Sequence, residues 1–460
     1  MRKYSGISLY FISVLILVIA TSCGNARNRE EAVSETTGGV NNAAWTKDAV
    51  LYELNVRQFT DEGTFAAIIP HVERLRDLGV DIVWFMPIHP IGEVNRKGTL
   101  GSYYSVRDFK DVNPEFGTLE DFKSLVNAIH EAGMHVIIDW VPNHSSWDNA
   151  LASEHPDWYR TDSSGVFISP YDWTDVIQFD WSSDGLREYM LDALLFWVRD
   201  AGIDGYRVDH PHVTPADFWA EARVEMEKVK PVFMMAENED RVEFFDNGFD
   251  ANYSWELHHM MNQVAQGKEK QEEMDKILQK GFKTFPSYGY RMRFTDNHDE
   301  NSWAGTINER MGDAQLAMAV YMYTIPGIPL LYNGQEAGLD KRLEFFERDP
   351  IEWKESDLAE FYTTMNTLKA ENESLHNGRF GGDFKVVETA GDDDVYAFTR
   401  TRGENTVFTI INFSGEPADF TIVDSSVSAD YKDIFTESAV SVTGDKNYTL
   451  SGWGYRVMVK

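Results

Sequence analysis

The chain is expected to fold as an α/β protein: a (β/α)8 TIM-type barrel, a small domain inserted after its third strand, and a C-terminal antiparallel β-sandwich. Three observations carry that expectation. Across residues 45–374, eight short apolar runs alternate with stretches of helical period, the pattern of β/α units around a parallel sheet. The segment 145–182, between the third run and the next helical stretch, is too long and too rich in Trp and Tyr for a plain connection. Residues 375–460 instead show short alternating strands and turns.

In chain order, the first element is a targeting segment. Arg2 and Lys3 precede a mainly apolar stretch from Ile7 to Ala20. At about 1.5 Å per residue it is too short for a hydrocarbon core of about 30 Å, so residues 1–22 read as a signal peptide. The stretch ends in Ala20-Thr21-Ser22-Cys23, which resembles a bacterial lipobox, and Cys23 is the one cysteine of the chain. Cys23 is therefore the expected lipidation site. The polar residues 23–44 then form a flexible tether, and the protein is anchored in the envelope of a Gram-negative bacterium. The expected barrel strands are Val50–Val56, Asp81–Pro87, His135–Val141, Gly205–Val208, Pro231–Ala236, Phe249–Tyr253, Tyr290–Thr295 and Pro329–Tyr332. Helical patterns include Leu119–Ala132, Leu186–Ala201 and Pro215–Val229; C-terminal strands include Val395–Arg400, Val407–Phe413 and Tyr455–Val459. Eight strands favour the closed barrel over a doubly wound sheet.

Composition narrows the function. A net charge of −33 argues against a nucleic-acid partner, since phosphate binding needs a basic face. A single cysteine excludes intramolecular disulfides and cysteine-ligated zinc. The chemistry-bearing residues fall just after predicted strands, where barrels place their sites. They are Asp139-Trp140-Val141-Pro142-Asn143-His144 after the third, Gly205-Tyr206-Arg207-Val208-Asp209-His210 at the fourth, Met235-Ala236-Glu237-Asn238 at the fifth, and Phe294-Thr295-Asp296-Asn297-His298-Asp299 at the seventh. Each fragment alone is a weak signal; four in order, each closing a different strand, are a strong one.

These four fragments resemble the signature regions of glycoside hydrolase family 13, the α-amylase family. Gly101-Ser102-Tyr103-Tyr104-Ser105-Val106 and Gly327–Glu336 extend the likeness. The resemblance implies a retaining α-glucan hydrolase with Asp209 as nucleophile, Glu237 as general acid/base and Asp299 as transition-state stabiliser. It also implies that Tyr104, His144, Arg207 and His298 line the subsite of the reacting sugar. The physics of glycoside cleavage agrees. A retaining mechanism needs two carboxyl groups about 5–5.5 Å apart, and Asp209 and Glu237 close adjacent strands about 4.8 Å apart. Arg207, two residues before Asp209, points the same way and should keep it ionised. Glu237 should hold a proton through repulsion by Asp209 and Asp299. Tyr104, Trp140, Trp147, Trp158, Tyr171 and Trp173 cluster around the insert; core packing is the commoner role for any one of them, and as a group they suit a glucan groove.

Two departures from the family pattern leave the subfamily open: Ser105 stands where an Asp often follows the subsite tyrosine, and Val176-Ile177-Gln178-Phe179-Asp180 matches no usual form of the insert motif. Asn143 occupies a position that ligates calcium in many relatives, so a structural calcium is weighed, against Gln178 where an Asp often stands. Two alternatives remain beside hydrolysis: a transglycosylase with the same three carboxyls, and a non-catalytic glucan-binding lipoprotein.

Overall fold

The computed structural model describes residues 40–444 and 446–460. The signal segment 1–22, Cys23 and most of the expected tether lie outside the described residues. Eight parallel strands close into a barrel: β1 Leu51–Leu54, β2 Ile82–Phe85, β3 His135–Trp140, β4 Gly205–Val208, β5 Phe233–Ala236, β6 Ala251–Asn252, β7 Tyr290–Arg293 and β8 Ile328–Tyr332. Each strand pairs with its neighbours in sequence, and β8 closes on β1 with Leu51 opposite Leu330. Two strands are shorter than the apolar runs suggest. β1 stops at Leu54 because the Asn55 side chain accepts from Arg57 N–H and caps the short helix Val56–Phe59. β6 is reduced to two residues because Asp250 turns its carboxylate to Met234 N–H and Arg223, while Tyr253 N–H donates to Asn238 O.

The strands are buried on both faces, which is why they read as continuous apolar runs. Leu51, Ile82, Trp84, Ile137, Phe233, Met235, Met292 and Leu330 fill the barrel interior. Their alternates Tyr52, Val83, Val136, Ile138, Tyr206, Val208, Met234 and Leu331 face the surrounding helices, including Leu119–Glu131, Asp184–Phe196 and Ala216–Glu227. The N-terminal mouth is covered by residues that the sequence places in the tether and at its border. Asn42 is buried and donates to Asp250, Thr46 bonds Tyr290, and Trp45 stacks on His135 at 3.8 Å.

After β3 the chain leaves the barrel. His144–Ser146 pairs antiparallel with Val176–Gln178, and the residues between them form a small body around Tyr159, Phe167 and Phe179. The C-terminal strands form a six-stranded and a three-stranded antiparallel sheet. Val395, Phe408 and Met458 of one sheet share a core with Phe420, Ile422 and Leu450 of the other, so the domain is a sandwich.

One glycine sets how closely two barrel strands approach. Gly205 has φ +143°, and a Cβ built there would lie 1.8 Å from the Phe233 carbonyl oxygen. Only glycine lets β4 and β5 approach as they do. Gly205→Ala is therefore expected to lower unfolding free energy by about 3 kcal/mol or more, read from the urea midpoint. An unchanged midpoint would show that the strands can part without cost.

Candidate active site

The two-residue period of a strand carries the inward row up to the C-terminal rim of the barrel. Glu53 stands two residues beyond Leu51, Asp139 two beyond Ile137, Glu237 two beyond Met235, and Arg207 and Asp209 two and four beyond Gly205. Tyr104 comes from the connection after β2, His144 opens the insert, and His298 and Asp299 follow β7. Tyr104, His144, Asp209, Glu237, His298 and Asp299 all line one cleft of about 750 Å³. Arg207 lies under its floor, fully buried.

The Arg207 guanidinium is the hub of the site. Its Nη1 donates to both Asp139 oxygens at 2.8 and 3.0 Å and to Asp209 Oδ1 at 3.0 Å. Its Nη2 lies 2.8 Å from Glu237 Oε1 as an ionic contact, and its Nε donates to Tyr253 OH. Glu237 Oε2 accepts the His210 N–H at 2.9 Å. This sharing reverses the expected order of protonation. Burial, and then the facing Glu237 carboxylate, push Asp209 well above the usual carboxylate range. Burial would raise Glu237 too, but Arg207 and the His210 N–H outweigh it and hold Glu237 below its ordinary value. Arg207 divides its charge among three carboxyls and Glu237 has the additional backbone donor, so burial is offset less at Asp209 than at Glu237.

The two histidines differ in state. His144 Nδ1 accepts from Asn143 Nδ2 at 3.0 Å and its Nε2–H donates to the Tyr104 carbonyl at 3.1 Å. Burial pushes its pKa down to about 3, so it is neutral, with both ring nitrogens engaged by the protein. His298 is raised to about 9: burial works against the charge, and Asp299 and Glu53 overcome it. Glu53, fully buried on β1, is a site residue that sequence reading missed; its Oε1 lies 2.5 Å from His298 Nδ1.

The aromatic wall is only partly the one expected. Tyr104 and Trp173 line the cleft, and Tyr171, 71% exposed, bonds His210 Nε2 through its hydroxyl at 2.9 Å. Trp140 and Trp158 are buried instead: Trp140 packs on Phe109 and Tyr206, and Trp158 stacks on His155. Trp147 is turned to the insert, donating to Thr174 O. The opposite wall comes from Trp255, Trp303, Phe345 and Phe346. Trp255 and Trp303 follow strand ends and could have been read there; the Phe pair sits in the long connection after β8 and carries no local signal. Ser105 donates to Asp175 O, and Asp175 pairs with Lys97 at 3.1 Å, so the departure from Asp at this position ties the insert to the barrel.

The surroundings of Asn143 do not fit calcium. Its side-chain oxygen accepts from Gln178 Nε2 at 3.4 Å and its nitrogen donates to His144, with no carboxylate among its partners. A hard cation takes six to eight oxygens, usually several from carboxylates. Among the described residues, no group of three or more His, Cys, Asp or Glu could hold a metal ion.

Two facing acids at the strand ends of a closed barrel, a third carboxyl across the cleft and aromatic walls are the makings of a glycosidase site. The chain belongs to the α-amylase family: residues 34–175 and 154–379 match the alpha amylase catalytic domain, and residues 384–457 match the C-terminal domain of maltogenic amylase. It is 29% identical over 347 residues, 72% of its length, to the α-amylase MalA of Haloarcula japonica, and spans half of that protein's length. A cyclomaltodextrinase of Bacillus sp. is 27% identical over 73% of this chain and 68% of its own. Among solved structures, a noncanonic maltogenic α-amylase AmyB from Thermotoga neapolitana superposes with a TM-score of 0.83 at 27% identity, covering 90% of this chain and 99% of its own.

Trp303 is 57% exposed and faces the cleft beside Phe345, so its ring serves the cleft rather than the core. Trp303→Ala should raise KM for malto-oligosaccharides by roughly three- to tenfold, the loss of one stacking face, with the melting temperature kept. Steady-state kinetics on maltotetraose checks this; an unchanged KM would remove Trp303 from the sugar path.

Proposed function

We propose that the protein is a retaining α-glucan hydrolase that cleaves α-1,4-glucosidic bonds of starch-derived oligosaccharides by double displacement. The observation that carries the reading is the single buried guanidinium touching both Asp209 and Glu237. It brings the two acids to one cation at adjacent strand ends, as a mechanism with a nucleophile and an acid on one sugar requires. The names of the relatives, an α-amylase, a cyclomaltodextrinase and a maltogenic α-amylase, support a glucan substrate.

In this reading Asp209 attacks the anomeric carbon while Glu237 protonates the leaving oxygen, and Glu237 then activates the water that releases the glycosyl group. The first step needs Glu237 protonated and Asp209 ionised, with Arg207 against the ionised nucleophile. Asp299 and the His298 imidazolium face the ring and strengthen their hold as it flattens toward the oxocarbenium ion.

The roles separate by leaving group. Glu237→Ala should lose several orders of magnitude on malto-oligosaccharides yet keep much of its glycosylation rate on α-maltosyl fluoride, which leaves with little help from an acid. Asp209→Ala should be inactive on both. Wild-type enzyme should release the α-anomer first, read by proton NMR before mutarotation. An initial β-anomer, or two variants that behave alike on both substrates, overturns the assignment. Products longer than the substrate on incubation with maltotriose would mark transglycosylation instead.

We further propose that Cys23 is lipidated and anchors the enzyme to the cell envelope, supported by the basic start, the short apolar stretch and the lipobox-like sequence. Cys23→Ser should then move the protein from the membrane to the soluble fraction with activity kept; a wild-type protein found wholly soluble overturns the anchor.

A further inference from the structure

His298 has a partner that none of the strand-end motifs contains. Glu53 lies on β1, 245 residues away in sequence, and reaches His298 because the barrel closes β8 against β1. It is fully buried; Oε1 meets His298 Nδ1, and Oε2 has no hydrogen-bond partner. Among the described residues, His298 is thus the one ionic partner of this carboxylate.

Donor accounting fixes both protons of the ring. Glu53 offers only acceptors as a carboxylate, so the short contact requires a proton on Nδ1. On the other side, Tyr104 spends its hydroxyl proton on Asp139 Oδ2 at 3.1 Å. It must then accept from His298 Nε2, 2.9 Å away, and Asp299 Oδ2, 3.3 Å from the same nitrogen, can only accept as well. Both ring nitrogens are donors, which is the imidazolium. Trp84 packs edge-on against the ring at 6.2 Å and limits its rotation.

We infer that Glu53 is a positioning residue that, from beneath the substrate cleft, holds His298 doubly protonated and orients its Nε2–H onto Tyr104 and Asp299, two groups that line the cleft. The inference rests on the glycosidase reading and deepens it. A neutral histidine would present an Nε2–H only in one tautomer and would leave the buried Glu53 uncompensated, which is costly. The groups that face His298 are Glu53 from β1, Tyr104 from the connection after β2, Asp139 from β3, Arg207 from β4, Glu237 from β5 and its own neighbour Asp299. Arg207 opposes the charge; Asp139, Glu237 and Asp299 support it, so removing Glu53 weakens the imidazolium without abolishing it. With the proton held to about pH 9, activity should persist into mildly alkaline solution and fall as that proton is lost.

Glu53→Gln keeps size and one acceptor for Nδ1–H while removing the charge. The alkaline limb of its kcat/KM profile on p-nitrophenyl α-maltotetraoside should move acidward by a pH unit or more, costing about fivefold or more at the wild-type midpoint and less at lower pH. A merely structural role would instead scale activity equally at every pH and lower the melting temperature. Should the variant fail to fold, nitrogen-15 NMR of the wild-type imidazole, assigned against His298→Gln, reads the same claim directly. Both nitrogens should remain protonated at pH 8, with a midpoint near 9. Parallel pH profiles in a folded variant, or a wild-type midpoint near the ordinary 6.5, overturns the inference. A protein inactive on glucans whose His298 still titrates near 9 would overturn the glycosidase reading and leave the pairing intact.

Discussion

A fully buried arginine under five carboxyl groups is the constraint on which the rest of the site depends. Arg207 touches Asp139, Asp209 and Glu237, and the same pocket contains Glu53 and Asp299. Burying that much negative charge with one guanidinium is unfavourable unless protons and further cations make up the difference. The structure resolves the imbalance locally. Burial and the facing Glu237 raise Asp209, Asp139 is raised to about 6, and His298, raised to about 9, is a second cation. The electrostatics of the cleft follow from this accounting, because these residues share one floor.

Barrel geometry makes such crowding possible. In a parallel closed sheet every second residue points to the axis, and the last inward residue of each strand reaches the same rim. The apolar layers of Leu51, Ile137, Met235 and Leu330 fill the middle and exclude water from below, which strengthens every ionic contact above. Gly205 tightens the β4–β5 seam where the two central acids meet. Stability and function are therefore joined through one seam of backbone.

The walls are built differently from the floor. They come from connections of unequal length: the insert after β3, the loop after β2 and the long segment after β8. They are tied to one another by backbone bonds, such as Ser146 N–H to Val106 O and Leu100 N–H to Phe346 O, and by side chains, such as Lys97 to Asp175 and Tyr171 to His210. Tyr171 and His210 both hold left-handed backbone conformations, at φ 51° and 36°, and this backbone strain sits at the edge of the cleft. Floor residues set what reaction is possible; wall residues set which oligosaccharide fits.

Much of the floor was legible in the residues alone. Apolar runs located the eight strands, the four strand-end fragments located Asp209, Glu237, Asp299, Arg207 and His298, and the two-residue period aligned Arg207 with Asp209. These are local properties, carried by spacing along one strand. What the tertiary structure decided is everything that depends on which strand ends meet. Glu53 gave no local signal, because its meaning comes from a histidine on the far side of the chain that only barrel closure brings to it. Trp140 and Trp158 look like sugar platforms in sequence and prove to be core, since a ring's role depends on which side of a strand or loop it leaves. The electrostatics of the two central acids depend on the fold for the same reason. Adjacency in sequence placed Arg207 beside Asp209, but the fold divided that charge among three carboxyls and gave Glu237 a backbone donor besides. Sequence determined the strands, the acids and their alignment, because those follow from local period and residue chemistry. The charge state of each acid and the makeup of the walls were settled only by the fold, because electrostatic energy and packing are sums over neighbours in space.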